Sequence, residues 1–179
     1  KFASFPNLNV LTMDFTQYDG ADGTFDLIYS ATAFHWIPPE IGFPKVMHLL
    51  KPGAAIALFW NHPYRDDDPL HKALEEVYTQ FYKSSDKPKA AFSEKDCAKY
   101  TEALELYEFV DVSARLYHNT RQMDADAYVA LLNTYSDHIL LPPDRKRGLL
   151  NGISEAINRF GGTITIQDTI DLYLARKPR

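Results

Sequence analysis

The run Ala54-Ala55-Ile56-Ala57-Leu58-Phe59-Trp60 constrains this chain more than any other feature. Its apolar residues follow one another without alternation, the mark of a strand covered on both faces. Immediately before it, Lys51-Pro52-Gly53 stops a helix that begins at Pro38-Pro39-Glu40, where proline suits the first turn. That helix carries Val46, Met47, Leu49 and Leu50 on its inner face. Upstream, Phe25-Asp26-Leu27-Ile28-Tyr29 reads as a second buried strand, and Val10-Leu11-Thr12-Met13-Asp14 as another that ends in an acid. Asp19-Gly20-Ala21-Asp22-Gly23 between them is turn chemistry. Buried strands separated by a helix predict a parallel sheet with both faces covered.

The middle of the chain changes character. Asp66-Asp67-Asp68 and Pro69 open a helix whose Leu70, Leu74, Val77 and Phe81 recur at helical spacing. The aspartates serve that helix N-terminus better than calcium, because the loop pattern of a calcium site is lacking. A polar loop from Lys83 to Lys89 follows, then a short helix capped by Ser93 or Asp96 and ending near Tyr107. Val110, Val112, Ala114 and Leu116 alternate with polar residues, predicting a strand with one wetter face. Asp124 is placed to cap a helix bearing Tyr128, Leu131, Leu132 and Tyr135. A further helix after Pro142-Pro143 turns Leu149, Leu150, Ile153, Ile157 and Phe160 inward and stops at Gly161-Gly162. Ile170, Leu172 and Leu174 alternate with Asp171 and Tyr173, giving a terminal strand expected to pair antiparallel. The expected divisions are residues 1–62 for an α/β core, 63–108 for a helical insertion or cap, and 109–179 for the remaining strands with cap helices.

A net charge of −5 without a basic stripe argues against a nucleic-acid partner. The short Arg145-Lys146-Arg147 cluster lies beside Asp144 and reads as a solvated helix start. The single cysteine, Cys97, precludes an internal disulfide framework, makes a reducing, cytoplasmic setting the default and reads as a helix packing residue. No apolar run approaches the roughly 20 residues that span a bilayer, so no membrane partner is expected. Neither CxxC nor HExxH occurs, so no metal site is expected.

Residues 25–37 (FDLIYSATAFHWI) and 49–60 (LLKPGAAIALFW), following the strand that ends at Asp14-Phe15, form an ordered series. It resembles the second half of the core of class I S-adenosylmethionine (SAM)-dependent methyltransferases of the type 11 family. Residues 131–142 (LLNTYSDHILLP) and 161–177 (GGTITIQDTIDLYLARK) resemble the cap helix and last strand of a subgroup with a His-Trp pair. The resemblance implies a Rossmann-like α/β sheet, partial here and without its first two βα units, with a helical cap insertion and an antiparallel terminal strand. It implies methyl transfer from SAM to a small-molecule acceptor, leaving S-adenosylhomocysteine, by a monomer or homodimer.

Ligands of open α/β sheets sit outside the carboxyl ends of the strands. The resemblance places Asp14 to accept from the adenine amino group and Phe15 to pack on the ring. It brings the backbone of Ser30 and Ala31 near the methionine end of SAM. Phe34, His35 and Trp36 fall beside the sulfonium and the acceptor, with Trp36 and His35 counted as cofactor contacts and Phe34 as a substrate contact. A sulfonium favours an aromatic face, and His35 is the candidate catalytic residue, a general base for an acceptor hydroxyl or carboxyl. Trp60, Asn61 and Tyr135 are the remaining candidate substrate contacts; Tyr128 reads as core.

Family members begin with an acid-x-Gly-x-Gly turn, where glycine lets the backbone approach the cofactor, and carry a second acid for the ribose. Neither occurs in this sequence, and the chain opens at Lys1 rather than methionine. The spacing of two βα units puts about 70 residues before it, so a truncated methyltransferase is expected. The alternative is a non-catalytic remnant or binding module with the same fold. A nicotinamide-dependent oxidoreductase is disfavoured because no dinucleotide fingerprint is present.

Overall fold

The computed structural model describes residues 5–64, 68–82 and 91–179. Asp66, Asp67 and the Lys83–Lys89 loop lie outside the described residues. Among the described residues there are four strands, β1 (Phe25–Ala31), β2 (Leu50–Tyr64), β3 (Val110–Asp124) and β4 (Thr163–Arg176), ordered β1-β2-β4-β3 in one sheet. The helices are α1 (Pro39–Leu49), α2 (Pro69–Phe81), α3 (Ala98–Leu106), α4 (Ala125–Leu132), α5 (Ser136–Ile139) and α6 (Pro143–Arg159). The chain divides into two compact units. One comprises Lys1–Trp60, Glu94–Arg115 and Asp171–Arg179; the other comprises Asn61–Ser93 and Leu116–Ile170.

In the first unit, β1 and β2 pair in parallel, with Ile28 opposite Ile56 and Ala31 opposite Phe59. The apolar run that predicted a buried strand is the middle of β2, where Ile56, Ala57, Leu58 and Trp60 are all buried. β2 begins earlier than expected. Lys51-Pro52-Gly53 stops α1 and is already inside the strand, where Phe25 opposite Leu50 gives way to Leu27 opposite Ala55. Within this irregular stretch lies Gly53, whose φ of +77° favours glycine. From α1, Phe43, Val46 and Leu49 fill the core beneath these strands, while Met47 is half-buried. Backbone bonds from Gly53 N–H to Lys177 O and from Lys177 N–H to Ala54 O join the start of β2 to the chain just beyond β4. Trp60, six residues on, bonds to Asp171. The two chains therefore run in opposite directions.

Two expectations for this unit need correction. Residues 10–14 form no strand, and Val10 and Leu11 are 62% and 61% exposed. A strand forms only where its N–H and C=O groups meet a ladder, and among the described residues β1 pairs with β2 alone. For the same reason β1 is not buried: Leu27 and Tyr29 are exposed. In β4 the inward set is Asp171, Tyr173 and Ala175, whereas Leu174 is exposed. β4 lies between β2 and β3, and its inward polar groups are hydrogen-bonded, which removes the penalty of burying them.

The core of the second unit is built by Leu70 and Leu74 of α2, Tyr128 and Leu132 of α4, Leu149, Ile153 and Ile157 of α6, and Ile164 and Ile166 of β4. The helical spacings read from the sequence place these residues on one face of each helix, and α6 packs on both α2 and α4. Tyr128 is core, as expected. Phe160 is instead exposed, because the helix ends at Arg159 and the chain turns away. There Gly162, at φ +77°, donates its N–H back to Ile157 O. Asp68 and Asp124 cap α2 and α4, their carboxylates accepting from the N–H groups of His71 and Ala127. Asp124→Ala is expected to cost about 1 kcal/mol, to be read as a lower urea midpoint with an unchanged slope. Tyr135 lies beyond α4, at the start of α5. No helix among the described residues is long and apolar enough to cross a membrane.

Candidate functional site

Each unit holds part of the predicted residue set. In the first unit, Asp14 stands at the start of a short 3-10 turn, Phe15–Gln17. Its Oδ1 accepts from the Thr16 backbone N–H at 2.8 Å and from the Thr16 hydroxyl at 2.9 Å. The backbone bond above all, with the hydroxyl behind it, holds the Asp14 carboxyl below the usual carboxylate range. Phe15 beside it is half-buried, with the Lys45 ammonium 5.9 Å from its ring centre. Lys45 also donates to Thr16 O, which fixes this turn on α1.

Ser30 and Ala31 end β1 opposite Leu58 and Phe59. Thr32, at φ +51°, turns the chain out of the strand, and Phe34–Trp36 form a second 3-10 turn. The three residues of that turn have different fates. Phe34 is 4% exposed and packs on Phe43 with ring centres 4.9 Å apart, so it anchors the turn in the core. Trp36 is 78% exposed, an unusual cost for a large aromatic. His35 is exposed beside Trp36, their rings 4.8 Å apart, and its Nδ1 accepts the indole N–H of Trp60 at 2.9 Å. Trp60 itself is buried and stacks on Tyr100.

In the second unit, Asn61 donates to Asp168 Oδ1 at 2.9 Å, and Arg121 grips the same carboxylate with two nitrogens, Nη2 to Oδ1 at 2.9 Å and Nε to Oδ2. Asp168 is only 3% exposed. Burial pushes its carboxyl up, but the Arg121 and Asn61 bonds outweigh that and hold it below the usual range. Tyr135 is close enough to feel this pair. Burial chiefly raises its hydroxyl, as does neighbouring Tyr128, while the Arg121 charge opposes them. Asn61 thus shares a polar group with Arg121 and Asp168, which the sequence reading missed, and Tyr135 lies within electrostatic reach of it. A signal was present: Asp168 and Asp171 interrupt an apolar strand, and a carboxylate inside such a strand needs a cation or donors. Nearby, His138 is buried between Asp137, 2.8 Å from its Nδ1, and the Tyr78 hydroxyl, 3.1 Å from its Nε2. Among the described residues no group of three or more His, Cys, Asp and Glu is arranged to hold a metal ion.

Residues 1–58 match the family model described as a methyltransferase domain. A solved structure from Anaeromyxobacter dehalogenans, assigned as a type II methyltransferase, superposes with a TM-score of 0.54 over 88% of this chain and 67% of its own, at 14% identity. The chain has the class I methyltransferase fold. An uncharacterized methyltransferase of Schizosaccharomyces pombe is 24% identical over 153 residues, 86% of this chain. The chain spans 57% of the length of that curated relative. The phosphoethanolamine N-methyltransferase 2 of Haemonchus contortus, solved with phosphomonomethylethanolamine and S-adenosylhomocysteine, aligns at 14% identity over 93% of this chain and 36% of its own, with a TM-score of 0.43. The Phe34–Trp36 turn follows the carboxyl end of β1, the edge strand of the sheet among the described residues.

Proposed function

We propose that this chain forms part of a SAM-dependent methyltransferase acting on a small-molecule acceptor, with Asp14, Phe15, Ser30, Ala31, His35 and Trp36 on the cofactor side. The carrying observation is the turn after β1. It keeps Trp36 in solvent beside His35 while Phe34 and Trp60 fix the turn from below. A ligand stacked on Trp36 would take this exposed ring out of water.

The residues present fit SAM in part. Asp14 stays ionised and so remains an acceptor for an adenine amino group, and the neighbouring Phe15 offers a ring. The exposed Trp36 offers a face to a sulfonium. A glycine-rich turn and a ribose-binding acid are not among these residues. When bound, SAM supplies an activated methyl group. This chain's own residues then bind and orient, which suffices for much of a transfer that needs chiefly positioning. Asn61, bonded to Asp168 beside Arg121, and Tyr135, within electrostatic reach of that pair, are proposed as acceptor contacts. A monomer or homodimer in the cytoplasm fits this reading.

Calorimetry with S-adenosylhomocysteine tests it in the natural protein that contains this sequence. Micromolar binding is expected, weakened about tenfold by Asp14→Ala through loss of one charge-assisted hydrogen bond. Equal affinity in the variant removes the adenine role. No binding by the natural protein favours the other reading, a non-catalytic module that keeps the fold.

A further inference from the structure

The sequence makes His35 a candidate base, but its partner in the structure gives it the opposite task. Trp60 is held by its ring and its backbone within the first unit. Tyr100 stacks on its ring at 4.2 Å and 21°, Tyr173 meets it edge-on at 5.9 Å, and its backbone N–H bonds to Asp171 Oδ1 at 2.9 Å. Asp171 is itself fixed by the Tyr173 hydroxyl on its other oxygen, at 2.8 Å. The direction of the indole N–H is therefore set by the core, and it points at His35 Nδ1, 2.9 Å away.

An indole nitrogen only donates, and a neutral imidazole has one donor and one acceptor nitrogen. With Nδ1 accepting from Trp60, the ring proton sits on Nε2. A base needs a bare nitrogen directed at the proton it removes. The bare nitrogen of His35 faces Trp60 instead. We propose that Trp60 is a positioning residue that locks His35 as the Nε2–H tautomer. His35 then binds an unprotonated ligand oxygen (carboxylate, phosphate or carbonyl) as a hydrogen-bond donor, and takes no proton from a hydroxyl or amine. Trp36, its exposed ring 4.8 Å from the imidazole, gives the body of such a ligand an apolar face. Only the placement of the ligand rests on the methyltransferase reading; the tautomer does not.

Long-range proton–nitrogen correlation spectra of the nitrogen-15-labelled chain read the tautomer directly. Nδ1 of His35 is expected to resonate as a bare nitrogen and Nε2 as N–H. In Trp60→Phe, which keeps a ring but loses the donor, the two tautomers are expected to mix. A bare Nε2 in the wild-type chain overturns the proposal, and that spectrum decides even if Trp60→Phe does not fold. For the ligand, sodium acetate, inorganic phosphate and acetamide separate the three oxygen sources, with methylammonium as the proton-bearing control. At least one of the oxygen probes is expected to shift the His35 Nε2–H resonance, and methylammonium is not. His35→Gln restores an N–H near the Nε2 position and is expected to keep affinity for that probe within about twofold, whereas His35→Ala loses about tenfold. Equal loss in both variants, a response to methylammonium alone, or no response to any oxygen probe overturns the donor role. None of these outcomes depends on SAM binding, so a failure here is distinct from a failure of the methyltransferase reading.

Discussion

Truncating Arg121 to alanine is expected to destabilise the protein by about 3 kcal/mol, because it leaves the Asp168 carboxylate buried without its cation. Asp168 is 3% exposed and would keep only the Asn61 amide among the bonds described here. Pairs at the surface are worth a fraction of this, and Arg147–Asp144, exposed on both sides, is the internal comparison. The pair also sets a pH dependence. The Asp168 carboxyl is held below its ordinary value in the folded chain, so its contribution is present in full above the unfolded carboxylate pKa of about 4. It is lost as pH falls through the lower folded value. Urea denaturation from pH 7 down to pH 3 is expected to show wild-type stability falling through the acid range, with a shallower fall in Arg121→Ala. An equal slope in both proteins shows that Asp168 does not carry the acid sensitivity.

Replacing Asp171 with alanine is expected to have an effect of similar size, about 3 kcal/mol, through the two donors it strands. The Trp60 backbone N–H and the Tyr173 hydroxyl both bond to this carboxylate, in a site where Asp171 and Tyr173 are 1% and 0% exposed. Asp171→Asn is expected to cost only about 1 kcal/mol. Its carbonyl still accepts from Trp60, and the Tyr173 hydroxyl can turn to accept from the new amide. Chemical denaturation followed by tryptophan fluorescence separates the two variants. If alanine is as mild as asparagine, the carboxylate is not what fixes Trp60, and the geometry around His35 needs another explanation.

Much of the local structure is legible in the sequence. Proline and aspartate at the helix starts, the double glycine after α6 and the spacing of Leu70 and Leu74 or Leu149, Ile153 and Ile157 each act over a few residues. Parallel pairing of β1 and β2 follows from an apolar run too continuous to have a wet face. The candidate site was legible only as a place. The Phe34–Trp36 motif marks the turn after β1, but nothing within it says that Phe34 is buried and Trp36 exposed. Arg121 was overlooked because β3 runs to Asp124, well beyond the alternation that ends near Leu116.

By itself the sequence determined where α1, α2, α4 and α6 begin, and that a parallel β-α-β unit opens the fold, because dihedral preference, capping and periodicity are settled between near neighbours in the chain. The tertiary structure alone decided which polar groups meet. Trp60 finds His35 from 25 residues away, Arg121 finds Asp168 from 47, and residues 10–14 form no strand because the ladder they would need is not beside them. Hydrogen-bond partners and burial depend on what the folded chain brings together in space, and it is such a partner that makes His35 a donor.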